Sequence, residues 1–371
     1  MKQNTTYKQT ELGLIPEDWE VKKFNKFSKF YSGGTPLTSK SEYYGGEIPF
    51  IKSGEIYYDR TEQFLTQEGL NNSSAKLVYR GDLLYALYGA NSGEVAISQL
   101  EGAINQAILC IQQNKDEAET IYLYNYLKLE KSNIINKFLQ GGQGNLSADI
   151  IKNLQIPLPP LPEQKKIADC LSTWDVAIEK QNALINALTD RKKALMQQLL
   201  TGKKRLPGFS GEWKLNSIND LFIFKNGKAH ENDIDENGKY ILINSKFIST
   251  DGEISKKTNS NLAPLEVNDL VFVMSDVPNG KALAKFFLIK EDNLYTLNQR
   301  IGLLKIKKGN PIFMYYLLNR NAYFLMFDNG VGQTNLRKDD ILDCPLNIPS
   351  LSEQTAIAEI LATADRELQL Q

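Results

Sequence analysis

A chain of 371 residues and 41.9 kDa exceeds the size at which a single hydrophobic core keeps growing, so two or three domains are expected. With 42% hydrophobic and 23% charged residues, and 43 basic against 44 acidic side chains, the composition is that of a folded, soluble protein and excludes disordered, collagen-like and membrane-bundle chains. No run approaches the ~18 apolar residues of a membrane span, and the polar stretch 1–10 lacks the apolar core of a secretory signal, so a cytoplasmic location with no membrane partner is expected.

In chain order, the first mixed region carries apolar runs at 94–97 and 107–111 that read as strands between turn residues, and a run at 121–129 that reads as a helix. Pro162 then suits a first helical turn and Gly202 a stop, giving one helix of about 40 residues and about 60 Å. Within it Ile167, Leu171, Trp174, Ile178, Gln181, Ile185, Leu188, Lys192, Leu195 and Leu199 recur at alternating steps of four and three. That is a coiled-coil seam in which only Gln181 and Lys192 are not apolar. Further on, strands are expected at Tyr240–Ile243, 270–274 and Ile301–Ile306 and a helix at 312–318. Ser350 and Glu353 form a capping-box pattern at the start of a last helix.

The second half repeats the first. Gly142-Gln143-Gly144-Asn145-Leu146, Ile151, Ile156, Pro159, Leu161, Glu163-Gln164, Ile167-Ala168 and Leu171 are matched, each 190 positions later, by Gly332-Gln333-Thr334-Asn335-Leu336, Ile341, Leu346, Pro349, Leu351, Glu353-Gln354, Ile357-Ala358 and Leu361. Upstream, Gly81-Asp82-Leu83-Leu84 answers to Asn268-Asp269-Leu270-Val271, and Asn105-Gln106 to Asn298-Gln299. The seam recurs as Ile357, Leu361, Ala364, Leu368 and Gln371. The expected fold is α+β: two repeated mixed α/β domains, 1–160 and 203–350, separated by long coiled-coil helices at 161–202 and 351–371. The two helices are expected to pair antiparallel, the shorter one facing 185–199.

Familiar catalytic and cofactor signatures are missing. The single histidine, His230, precedes an acidic stretch and reads as a surface loop residue, which leaves histidine-dependent catalysis and multi-histidine metal centres without support. Cys110, Cys170 and Cys344 are too scattered for a disulfide framework or a zinc site and are expected to be reduced and buried. Neither a phosphate-binding G-x-x-x-x-G-K-[ST] nor a G-x-G-x-x-G pattern occurs. Glu163-Gln164-Lys165 fits the short E-x-K element of some nucleases, but an acidic residue in a first helical turn ordinarily offsets the helix dipole.

Three stretches carry a resemblance: 13–21, opening Gly13-Leu14-Ile15-Pro16; 156–168, with Pro159-Pro160-Leu161-Pro162-Glu163-Gln164; and 194–202, closing Leu199-Leu200-Thr201-Gly202. With them the chain resembles the specificity subunit of type I restriction-modification systems over nearly its whole length. The resemblance implies a non-catalytic subunit whose two target recognition domains each read one half of a split, asymmetric site on double-stranded DNA. It also implies that the helices fix the gap between the halves and dock methyltransferase subunits, which bind S-adenosylmethionine, and that ATP-driven restriction subunits join the complex. The chain itself would hold no cofactor. Because the second seam stops at Gln371, the residues 167–178 would lack a partner in the same chain, so another chain, a methyltransferase subunit or a second copy, is expected to cover them. The rival class is a coiled-coil adaptor with two protein- or carbohydrate-binding heads, for which the aromatic runs Tyr43-Tyr44, Tyr57-Tyr58 and Phe286-Phe287 would be suited.

Reading bases requires side chains with paired donors and acceptors. Turn-rich segments after apolar runs, and their equivalents in the repeat, offer Lys52, Ser53, Tyr88, Asn91, Ser92, Gln106 and Gln143 in the first head. The second offers Asn244, Ser245, Lys246, Ser275, Asn279, Lys281, Asn298, Arg300 and Gln333. Asn145 and Asn335 suit either a base contact or a cap before a helix. Residues 161–205 hold nine basic and five acidic side chains, while 206–350 hold seventeen of each, so the positive excess sits at Arg191, Lys192, Lys193, Lys203, Lys204 and Arg205.

Overall fold

A computed structural model describes residues 6–138, 145–230, 233–277 and 280–371. The chain divides into two compact units, 1–178 and 179–371.

In the first unit an antiparallel sheet runs in the order Ser28–Ser32, Ile108–Gln113, Leu83–Ala86, Val95–Ile97. A second sheet runs Phe64–Leu65, Tyr44–Ile51, Gly102–Ile104, Lys76–Val78, and its two middle strands are parallel. The side-chain alternation of a strand explains why 83–87 reads as an unbroken apolar run. Leu83, Tyr85 and Leu87 enter one core with the helix Thr120–Phe138, whereas Leu84 and Ala86 enter another with Ile51, Val78 and Ile104 of the second sheet. Both faces of the sheet are therefore buried.

The second unit repeats this plan. Its first sheet runs Phe222–Asn226, Ile301–Ile306, Leu270–Val273, Phe286–Leu288, and its second runs Lys256–Thr258, Tyr240–Ile243, Tyr295–Leu297, again with a parallel pair. Leu270 and Phe272 face one core, Val271 and Val273 the other. The helical layer differs. Where the first unit has one helix of 19 residues, the second has Pro311–Leu318 and Ala322–Leu325, separated by Arg320 at a φ of 57°.

Matching turns hold the two frames. Asp82 accepts the Tyr79 amide at 2.8 Å and Asp269 the Glu266 amide at 2.9 Å, and the residue before each aspartate, Gly81 or Asn268, has positive φ. Gly33 and Gly227 follow equivalent strands. A Cβ at Gly33 would lie 1.7 Å from the Ile104 carbonyl oxygen and one at Gly227 2.0 Å from that of Asn298, so the backbones approach too closely for any side chain.

The long helix is Leu161–Leu199, 39 residues, and Gly202 follows it at a φ of 69°. The second is Leu351–Gln369. Each is anchored by the glutamine of the repeated motif. Gln164, fully buried, donates to the carbonyls of Pro159 at 2.8 Å and Glu117 at 3.0 Å and accepts the Glu119 amide at 2.9 Å. Gln354 does the same with the Pro349 carbonyl and the Asn310 amide, both at 2.9 Å. The E-x-K element is thus a structural clamp, its central residue tying strand end, helix start and head together. Ser350 accepts the Glu353 amide, but Glu353 does not return the bond; its buried carboxylate takes Arg205 in a two-pronged pair at 2.6 and 2.7 Å.

Within the second unit the two helices run antiparallel. Gln181 donates to the Gln371 side chain at 2.9 Å, Arg191 to Glu367 at 3.0 Å, and Lys192 pairs with Asp365. Lys192 therefore has its partner on the other helix and Gln181 just past its end. Leu199, Ile357, Leu361 and Ala364 are buried, while Ile185, Leu188 and Leu195 are half-buried.

Two expectations fail on burial. His230 is no surface residue: its ring is buried, with Nδ1 at 2.7 Å from the Lys228 carbonyl and Nε2 at 3.1 Å from the Thr296 hydroxyl. Cys110 and Cys344 are buried as expected, but Cys170 is exposed on the long helix, where Asp169, Leu171, Thr173 and Trp174 around it are exposed as well. No helix among the described residues is long and apolar enough to cross a membrane.

Candidate nucleic-acid interface

In each head the parallel strand pair ends in loops that carry polar side chains. Ile104 pairs with Ile51, so Asn105 and Lys52 emerge side by side; Leu297 pairs with Ile243, so Asn298 and Asn244 do the same. In the first head Lys52, Thr35, Gln63 and Asn105 line one cleft of 390 Å³, and Thr35 donates to Gln106 at 2.7 Å. Asn91 joins the same neighbourhood, its side-chain nitrogen 3.4 Å from where a Cβ on Gly54 would stand.

In the second head Ser275, Arg300 and Gln333 converge on a cleft of 340 Å³ with Gln299 and Asn335. Its walls are fixed by a short antiparallel pairing of Ser275–Asp276 with Thr334–Asn335, and Gln333 Nε2 donates to Ser275 Oγ at 2.6 Å. Asp276, beside this cleft in the chain, spends its carboxylate on the amides of Val277, Ala282 and Leu283.

Other candidates are placed elsewhere or held by local bonds. Ser92 is buried and donates to the Leu87 carbonyl at 3.1 Å, which removes it as a base contact. The Asn244 side chain accepts the Phe247 amide at 2.9 Å as the cap of helix Ser245–Ser249, whose first two residues, Ser245 and Lys246, are exposed. Ser53 and Tyr88 are partly buried, Tyr88 against the helical-layer core; Asn298 is half-buried behind Gly227; Lys281 is exposed. Gln143 and Asn279 lie outside the described residues. Thr35, Gln63, Asn105 and Gln299 join these clefts without having been chosen from the sequence, although the matched Asn-Gln pairs at 105–106 and 298–299 were a usable signal, and Asn335, which suited either a base contact or a cap, lines the second cleft. Asn145 and Asn335 are not caps: Ser147 caps the helix at Ala148–Lys152, and the Asp340 carboxylate takes the Arg337 amide at the start of Lys338–Leu342.

The positive excess on the long helix is partly committed. Arg191, Lys192, Lys193 and Arg205 pair with Glu367, Asp365, Asp190 and Glu353, which leaves Lys165, Lys166 and Lys180 of the helix and Lys203 and Lys204 just past it as exposed cations outside ion pairs among the described residues. Of the aromatic runs, Tyr43 and Phe286 are core residues, whereas Tyr57 and Tyr58 are exposed. Tyr57 donates to Glu94, which also pairs with Lys131; the lysine and then the tyrosine hold the Glu94 carboxyl below its ordinary value. No group of three or more His, Cys, Asp or Glu side chains that could hold a metal occurs among the described residues.

Known proteins share both the sequence and the fold. The model for the type I restriction modification DNA specificity domain matches twice, at 16–190 and 210–371. The MjaVIII specificity subunit of Methanocaldococcus jannaschii is 26% identical over 384 residues, covering 96% of this chain and 88% of its own. The MjaIX specificity subunit of the same organism is 33% identical over 195 residues, 50% of this chain and 45% of its own. Among solved structures, the type I restriction-modification S subunit from M. genitalium superposes with a TM-score of 0.61 at 16% identity, covering 95% of this chain and 90% of that one. Two matches to one family model, falling on the two halves of an internal repeat, place this chain in the type I restriction modification DNA specificity family.

Proposed function

We propose that this chain is the sequence-reading subunit of a type I restriction-modification complex, with each head taking one half of a split site on double-stranded DNA. The observation that carries this reading is the duplication: one frame occurs twice, with the same strand order in its first sheet, the same aspartate turn and the same glutamine clamp, while side chains at corresponding places differ, Tyr88 and Ala107 of the first head standing where the second has Ser275 and Arg300. A repeated frame with unlike faces suits recognition of two unlike words. In this reading the antiparallel helices act as a coiled-coil spacer, methylation and cleavage belong to partner subunits, and S-adenosylmethionine and ATP are bound there.

A partner chain also has a place to dock. The seam residues Trp174 and Ile178 are 66% and 56% exposed, and Leu171 of the same seam is exposed beside them. Each such side chain, if fully covered, contributes roughly 1.5 to 3 kcal/mol. The occupant favoured here is a methyltransferase subunit; a second copy of this chain is the alternative that sedimentation of the complex would reveal. The function is tested by mapping methylated adenines in the source genome with the gene present and deleted. Loss of one bipartite motif on deletion is expected, and an unchanged methylation map would refute the reading.

A further inference from the structure

Resting on the reading of this chain as a DNA-sequence reader, we infer that Arg300 recognises a guanine in the half-site taken by the second head and that the first head has no counterpart to it. The two heads are aligned residue by residue at this place. Strand Ile108–Gln113 and strand Ile301–Ile306 occupy the same position in the same sheet, so Asn105-Gln106-Ala107 corresponds to Asn298-Gln299-Arg300. The neighbouring segment is matched too: Leu146 donates to the Leu87 carbonyl at 3.0 Å, and Leu336 to that of Met274 at 2.8 Å. This places Tyr88 opposite the role of Ser275. At one point of a shared frame, Tyr88 and Ala107 are exchanged for Ser275 and Arg300.

The surroundings of Arg300 suit a base edge better than a phosphate. Among the described residues lining its cleft it is the only charged one; the polar others are Ser275, Gln299, Gln333 and Asn335. A phosphate site gathers several cations or amides, whereas hydroxyls and carboxamides around one guanidinium present the paired donors and acceptors that base edges require. Arg300 is exposed and has no hydrogen bond or ion pair with any described residue. The nearest acid in the segment, Asp276, is consumed by three amides of its own loop. Its planar fork is thus available for the O6 and N7 of guanine, and the small Ser275, held by Gln333, leaves room where the first head has a tyrosine.

The test uses the chain assembled with its methyltransferase subunits, selecting from a pool of duplexes with random blocks, and compares wild type, Arg300→Ala and Arg300→Lys. Arg300→Ala should flatten a guanine preference at one position of one half-site by about tenfold or more and leave the other half-site as it was. Arg300→Lys should lose most of that preference while keeping the salt dependence of binding. Equal weakening on all sequences, with a shallower salt dependence, would make Arg300 a phosphate contact and overturn the inference. An unchanged profile in both variants would overturn it alone, since the wild type would still select a site. A wild-type complex that enriches no sequence would remove the DNA-reading premise and the inference together.

Discussion

In the first head Gln164 makes three hydrogen bonds at the root of the long helix, and the glutamate beside it, Glu163, has no ion pair among the described residues. In the second head Gln354 makes two such bonds, and Glu353 beside it is buried under Arg205. The same motif has thus kept one residue in one role and given its neighbour two. What stays constant is the residue that joins strand, helix and head. What varies is the residue whose environment depends on the segment packed over it, here 201–209 in the second unit, with Arg205 stacked near the Trp213 ring at 6.0 Å.

Substitution sharpens this contrast. Gln164→Ala should cost about 3 kcal/mol and Gln354→Ala about 2 kcal/mol, in the ratio of the buried backbone groups each leaves without a partner, measured by urea titration of the full chain. Equal, negligible losses would show that the glutamines do not clamp the heads. A smaller effect is expected one residue earlier. Arg205→Ala strands the Glu353 carboxylate, so it should lower the thermal midpoint of the second unit, whereas Glu163→Ala should leave that of the first unchanged. The Arg205 guanidinium is itself held above its ordinary value by the Glu353 hydrogen bonds, so the difference between wild type and Arg205→Ala should persist as the pH is raised and fade only where the guanidinium loses its proton. Identical midpoints at neutral pH would mean that the pair contributes nothing net.

Much of this frame was legible because it rests on local or periodic signals. The repeat located both helices, the seam from Ile185 on and its counterpart named residues that are buried or half-buried, whereas Leu171, Trp174 and Ile178 are exposed, and Gln181 and Lys192 turned out to be matched by Gln371 and Asp365. What the sequence hid depends on contacts between distant segments. His230 is satisfied by Thr296, 66 residues away, and nothing near it in the chain records that bond. Ser92 looked like a loop hydroxyl; its partner, the carbonyl of Leu87, is only five residues away, but the burial of both comes from the core packed around that strand end. The clefts are assembled from loops: Ser275 and Gln333 stand 58 positions apart, Thr35 and Gln106 71. Turn composition could nominate their residues without saying which would meet. Asn335, which suited a cap, pairs with Ser275 as a strand residue, and the Asp340 carboxylate takes the Arg337 amide at the start of the next helix.

The central claim is that two like frames read two unlike words. Its most direct test exchanges the heads, placing 206–350 ahead of the long helix and 1–160 after it, and maps the adenines methylated by the resulting complex. The two halves of the bipartite motif should trade places about the same gap. An intact complex that methylates the original motif in its original order would contradict the account.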